Sequence, residues 1–80
     1  MTREQAEHIA EKKRAKLGIA PDMEIVSAER AIVEYKSNPD KPGPVIDRVA
    51  WILTYANALS TVTVQVDDRN GRILKVQRSR

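Results

Sequence analysis

The chain reads as an α+β domain: one N-terminal helix packed on a four-stranded antiparallel meander. Three observations predict it. Residues 2–17 carry matched helix start and stop signals. Two alternating apolar sets follow, Val49, Trp51, Leu53 and Tyr55, then Val62, Val64 and Val66. That is the period of strands with one buried face. Asn70-Gly71 then separates Val66 from Arg72–Gln77, and both turn residues tolerate positive φ.

Thr2 caps the helix, with Gln5 where a capping box wants Glu or Gln. Glu4 and Glu7 lie near its start, and Lys12, Lys13, Arg14 and Lys16 near its end, as the helix dipole favours. Gly18 is placed for a left-handed stop, and Pro21 prevents continuation. Ala6, Ile9, Ala10 and Leu17 form a thin apolar stripe that needs a sheet to lie on. The basic cluster at 12–16 reads as a solvated helix end.

Residues 23–36 are ambiguous. Met23, Ile25 and Val26 suggest an extended lead-in, and Ala31, Val33 and Tyr35 alternate with Ile32, Glu34 and Lys36. We expect a first strand at 29–36, broken or bulged near Ala28. The alternative is a short helix from Ala28 to Lys36. Ser37 to Pro44 holds three prolines and a glycine, so it is a loop. The second strand is expected at 46–56, the third at Thr61–Asp67 and the fourth at Arg72–Gln77. The predicted core is Ala6, Ile9, Ala10, Leu17, Val33, Tyr35, Val49, Trp51, Leu53, Val62, Val64, Val66, Leu74 and Val76. Ile52 and Ile73 are expected on the opposite face of the sheet. That face is too small for an obligate interface, so a monomer or a weak dimer through edge strands is expected.

Eighty residues make one domain, 1–80. With 41% apolar and 31% charged residues, the composition fits a small soluble globular domain and not a disordered one. No cysteine means no disulfide, thiolate chemistry or cysteine metal site. No apolar run reaches the ~18 residues that span a bilayer. No apolar segment follows Met1-Thr2-Arg3-Glu4-Gln5, so no signal peptide is read, although a chain cut after one would look the same. Compartment is left open.

The net charge of +3 is uneven. Residues 1–68 hold nine basic and eleven acidic residues, whereas 69–80 hold Arg69, Arg72, Lys75, Arg78 and Arg80 and no acid. These five are the candidate partner- or anion-binding residues. The plainer reading is an edge strand kept soluble by basic side chains.

No catalytic constellation is found. His8 is the only histidine and has no partner at a telling spacing. There is no glycine-rich phosphate loop and no nucleophile elbow. Aligning Gly71 with the sixth position of an EF-hand loop puts Val66 first and Gln77 twelfth, so two essential ligands fail. Asp67 and Asp68 are read as shaping the turn. Three aromatic residues cannot build an RNA-stacking platform. No cofactor and no metal is expected.

Val49-Ala50-Trp51-Ile52-Leu53, followed by Val64-Gln65-Val66-Asp67-Asp68-Arg69-Asn70-Gly71-Arg72-Ile73-Leu74, resembles the PepSY domain family. Members of that family resemble propeptide segments of thermolysin-type metalloproteases. Val66-Asp67, Gly71 and Ile73-Leu74 match its pattern, and Asp68 replaces its usual small residue. The resemblance implies a helix on a small antiparallel sheet and a role in binding or inhibiting peptidases. It carries over no catalytic residue. The expected function is therefore a non-catalytic binding module, not an enzyme, that takes a protein or peptide partner at a sheet edge. The alternative is anion or nucleic-acid binding through the basic C-terminal strand, with nucleic acid the less favoured partner.

Overall fold

The structure is a computed structural model that describes residues 1–36, 40 and 42–79. Two helical segments, α1 (Arg3–Lys12) and α2 (Arg14–Leu17), precede four strands: β1 (Glu24–Tyr35), β2 (Ile46–Ala56), β3 (Thr61–Asp67) and β4 (Ile73–Ser79). The sheet order is β1-β2-β3-β4, every pair is antiparallel, and the helix packs on one face. The fold is the expected α+β meander. No helix among the described residues is long and apolar enough to cross a membrane.

The helix starts as its sequence requires. Gln5 N–H donates to Thr2 Oγ1 at 3.2 Å, and Thr2 N–H donates to Gln5 Oε1 at 2.8 Å. Two orphan donors of the first turn are thereby satisfied. The single expected helix is divided at Lys13, whose φ of −111° and ψ of 16° leave helical geometry. Arg14 then works as a clamp. It donates to both carboxylate oxygens of Glu11 at 2.9 Å, and to the carbonyls of Ala20 at 2.7 Å and Met23 at 2.8 Å. Its guanidinium also lies 5.7 Å from the centre of the Tyr55 ring. One member of the basic cluster is thus structural: it fixes the chain between helix and sheet.

Gly18 ends the helix in the left-handed region at φ 76°. Arg78 of β4 donates to the Leu17 carbonyl at 3.1 Å, satisfying one of the acceptors left at the helix end. A Cβ at Gly18 would collide with that guanidinium.

The core comprises Ala6, Ala10, Leu17, Ile19, Met23, Leu53, Tyr55, Val62, Val64 and Val66, with Ile9, Ile25, Ala28, Trp51, Ile73 and Val76 packed against it. Ala6 and Ala10 are fully buried and, with Ile9, form the face of α1 that packs on the sheet. The Tyr55 hydroxyl is buried without a hydrogen-bond partner among the described residues. Burial, followed by the nearby Glu11 carboxylate, pushes its pKa up to about 12.

Several expectations need correction. The alternative of a helix over Ala28–Lys36 fails, because β1 runs from Glu24 to Tyr35. Val33, Tyr35, Val49 and Leu74 are outside the core, while Ile19, Met23 and Tyr55 are in it. Two bulges explain most of the difference. In β1, Ile25 pairs with Tyr55 but Ser27 with Thr54, so Val26 is an extra residue. A bulge reverses which residues face the core. Ala28, Arg30, Ile32 and Glu34 therefore take the helix side, opposite Leu53, Trp51, Val49 and Asp47. Val33 and Tyr35 take the other side, opposite Arg48 and Ile46. In β4, Val66 pairs with Ile73 but Gln65 with Lys75, so Leu74 is extra. Ile73, expected on the open face, joins Val76 against the core. Val49 keeps the helix side but is 39% exposed, since it pairs with Ile32 beyond Ala50, the last β2 residue paired with β3.

The β3–β4 connection also differs from a two-residue Asn-Gly turn. Gly71 N–H donates to the Asp67 carbonyl at 2.9 Å, and Asp67 N–H to the Arg72 carbonyl at 2.8 Å, which makes a four-residue loop over 68–71. Gly71 alone in it has positive φ, 74°. Its missing side chain admits Ile9: a Cβ would sit 2.7 Å from Ile9 Cδ1. The turn glycine thus serves helix packing as well as backbone geometry. Of the proline loop, Ser37, Asn38, Pro39 and Lys41 lie outside the described residues.

Candidate functional site

The sheet order leaves β1 and β4 at its edges. β1 is the longer, twelve residues against seven. α1 lies over β2 and β3. β1 pairs with β2 along its whole length, whereas β3 reaches only as far along β2 as Ala50. The segment Ile32–Tyr35 with Ile46–Val49 therefore extends as a two-stranded ribbon past the rest of the sheet. On its helix side Ile32 is 71% exposed and Val49 is also open; Ile46 is exposed too, while Val33 and Tyr35 are half-buried. An edge strand carries a row of unpaired N–H and C=O groups, the groups that accept an added strand.

Asp68 anchors this edge to the body of the protein. Its Oδ1 accepts the Trp51 indole N–H at 3.0 Å and the α-ammonium of Met1 at 3.1 Å. Its Oδ2 accepts Arg30 Nη2 at 3.0 Å. Its own N–H donates to the Val49 carbonyl at 2.9 Å. The carboxylate is 15% exposed. The Met1 ammonium first, then Arg30, hold it below the ordinary carboxylate range, against the opposing effect of burial. The bulge at Val26 makes this contact possible, because it puts Arg30 on the same face as Trp51.

This arrangement has a pH signature. A carboxyl whose folded pKa is lowered stabilises the fold above its unfolded value, and the gain is lost as pH falls through the folded value. Asp68→Asn is therefore expected to unfold more readily than the parent at neutral pH. The gap between them should close as pH drops below about 4, where an ordinary aspartate protonates. Denaturation midpoints measured from pH 2 to 7 check this; a gap unchanged across that range would contradict it.

The five basic residues proposed from the sequence do not share one arrangement. Arg69 and Arg72 are exposed in and after the β3–β4 loop. Lys75 lies opposite Gln65 on the open face. Arg78 lies opposite Val62 on the helix side, with its guanidinium on the Leu17 carbonyl. Arg80 lies outside the described residues.

Asp47, Arg48, Val49, Asp67, Asp68 and Arg69 line a cleft of about 260 Å³. One ion pair lies within it. Arg48 is 3.8 Å from Asp67, whose side chain is 3% exposed. Asp67 Oδ1 also accepts the Arg69 N–H at 2.8 Å, so its role in the turn is as read from the sequence. His8 is exposed and lines a shallow depression with Met1, Gln5, Ile9, Arg69 and Asn70, none of them an acid that could orient it. Among the described residues, no group of three histidine, cysteine, aspartate or glutamate side chains could hold a metal.

The β1 edge escaped the sequence reading at residue level. The sequence places a break or bulge near Ala28 but not its effect on parity: the bulge lies at Val26 and turns Ile32 to the helix side, together with Arg30 and Glu34, to which the pattern gives no role. Comparison with protein-family models, with curated proteins and with solved structures finds no match to the chain.

Proposed function

We propose that this domain is a non-catalytic binding module that holds an extended segment of a protein partner by main-chain pairing along β1. The observation that carries this reading is the β1 edge itself. It is the longest strand, it has one neighbour, and its last four residues, Ile32–Tyr35, project beyond the rest of the sheet with Ile32 exposed. β-Addition derives affinity from backbone hydrogen bonds and specificity from alternate side chains. The resemblance to PepSY domains supports a peptidase as the partner.

Proline substitution tests the reading. Neighbouring residues of a strand direct their N–H groups to opposite edges. Of Ala31→Pro and Ile32→Pro, one therefore removes a bond to β2 and destabilises the fold. The other removes only an outward donor, which an edge strand tolerates. The immobilised domain is expected to retain a secreted thermolysin-type metallopeptidase, and the stable proline variant to lose it. Failure of the parent domain to retain any of a panel of such peptidases would count against the peptidase reading. Equal retention by parent and stable variant would remove β1 from it.

Anion or nucleic-acid binding through Arg69, Arg72, Lys75, Arg78 and Arg80 has less support, because Lys75 and Arg78 lie on opposite faces and Arg78 is engaged with the helix end. Phosphate binding would appear as a gel shift that weakens steeply with salt.

A further inference from the structure

We infer that the β1 edge also pairs with itself, joining two copies of this chain antiparallel about a two-fold axis through Ile32. Such an axis stands perpendicular to the sheet, so paired residues must share a face. Centring on Ile32 places Arg30 opposite Glu34 of the second copy and Glu34 opposite its Arg30. Both residues lie on the helix side of β1. Ala31 then meets Val33, and Glu29 meets Tyr35, on the other face. Ile32, 71% exposed in the single chain, meets its own copy at the axis.

The neighbouring registers are worse. Centring on Glu29, Arg30 or Glu34 opposes like charges at the axis. Centring on Ala31 sets Arg30 against Ile32 and Glu29 against Val33. Centring on Val33 sets Arg30 against Lys36 and Glu34 against Ile32. Centres nearer the strand start meet the bulge at Val26. Opposite charges facing across strands stabilise a pair and like charges destabilise it. Ile32 is thus the one centre from Glu29 to Glu34 that joins opposite charges without opposing like ones. The Arg30 guanidinium is 57% exposed while bound to Asp68 and keeps further donors for Glu34 of the second copy. α1 covers β2 and β3, which leaves β1 accessible. The result is an eight-stranded sheet with the helical segments of both copies on one face.

The absence of cysteine makes the register testable by single-cysteine cross-linking. At the axis, Cα atoms lie roughly 4.5–5.5 Å apart, within disulfide reach. Ile32→Cys is expected to form a covalent dimer under mild oxidation. Glu29→Cys, on the same exposed strand, should not, because the two copies of that position stand roughly 20 Å apart. Equal cross-linking of the two, or none at ~100 µM, would overturn the proposal.

Charge reversal adds an independent reading. Glu34→Lys alone should weaken association by about tenfold, as two attractive pairs become repulsive. Mixing Glu34→Lys with Arg30→Glu restores attraction at both pairs and should give a mixed dimer by sedimentation. Thermal melts confirm that each variant is folded. A dimer indifferent to Glu34→Lys would overturn the register. The self-pairing shares its edge with the binding function proposed above but does not depend on it. Peptidase binding without self-association would sink the dimer and leave that function standing; self-association without peptidase binding would do the reverse.

Discussion

Leu53→Ala is expected to destabilise the domain by about 3–5 kcal/mol, the range for a buried leucine whose cavity cannot collapse. Leu53 is fully buried in β2, one of the two strands paired on both sides, between Ala28 of β1 and Val64 of β3. Methionine and leucine side chains of the helix end and the following loop, Met23 and Leu17, belong to the same cluster. A domain of this size has roughly 4–12 kcal/mol in total, so the variant is left near its folding limit. The melting temperature should fall by on the order of 15 °C or more. A loss below about 1 kcal/mol would mean that the core face of β2 is misassigned.

Trp51→Ala is expected to cost about 3 kcal/mol, the lower end for tryptophan, because the ring is half-buried at the rim of the core. Two contributions can be separated. Trp51→Phe keeps much of the ring contact but removes the indole N–H that donates to Asp68 at 3.0 Å and Met1 O at 3.3 Å. That change should cost about 1.5–3 kcal/mol, the range for a hydrogen bond to a charged group. Urea unfolding of the three proteins measures both steps. If phenylalanine and alanine are equally destabilising, the hydrogen bonds to Asp68 and Met1 dominate over packing. If phenylalanine is neutral, Trp51 does not tie Asp68 to the core.

The helix cap, the sheet order and the core of β2 and β3 were legible because each is written in local pattern. Thr2 with Gln5, Gly18, and the alternating valines of β3 specify their structures within a few residues. The two edge strands were less legible, and for one reason. Each contains a bulge, and a bulge changes the face of every residue beyond it without changing composition. Val33 and Tyr35 look like core residues only if β1 is regular. Ile73 looks exposed only if β4 is regular. Both bulges fall where two apolar residues stand side by side, Ile25-Val26 and Ile73-Leu74. That juxtaposition is the signal that a strict period of two overlooks.

The roles of the arginines were illegible for a different reason. Arg14, Arg30 and Arg78 are ordinary surface residues by composition. Each is engaged by a partner that only the fold brings near: Arg14 by the carbonyls of Ala20 and Met23, Arg30 by Asp68, Arg78 by the Leu17 carbonyl. A long amphipathic side chain can bury its stem and fix a backbone turn while its charge remains partly wet. Counting five basic residues in the last twelve therefore measured a charge density and not a site.

The account rests on β1 being a strand with one paired and one open edge. Residue-resolved amide hydrogen exchange at about 1 µM tests that most directly, at a concentration where weak edge pairing is dissociated. Within Ser27–Tyr35, amides directed at β2 should be protected and the alternate ones should exchange nearly as fast as in a free peptide, a two-residue alternation along the strand. Uniform protection would mean that the edge is already covered. Uniformly fast exchange would mean that β1 is not a strand, and the proposed binding edge would be lost with it.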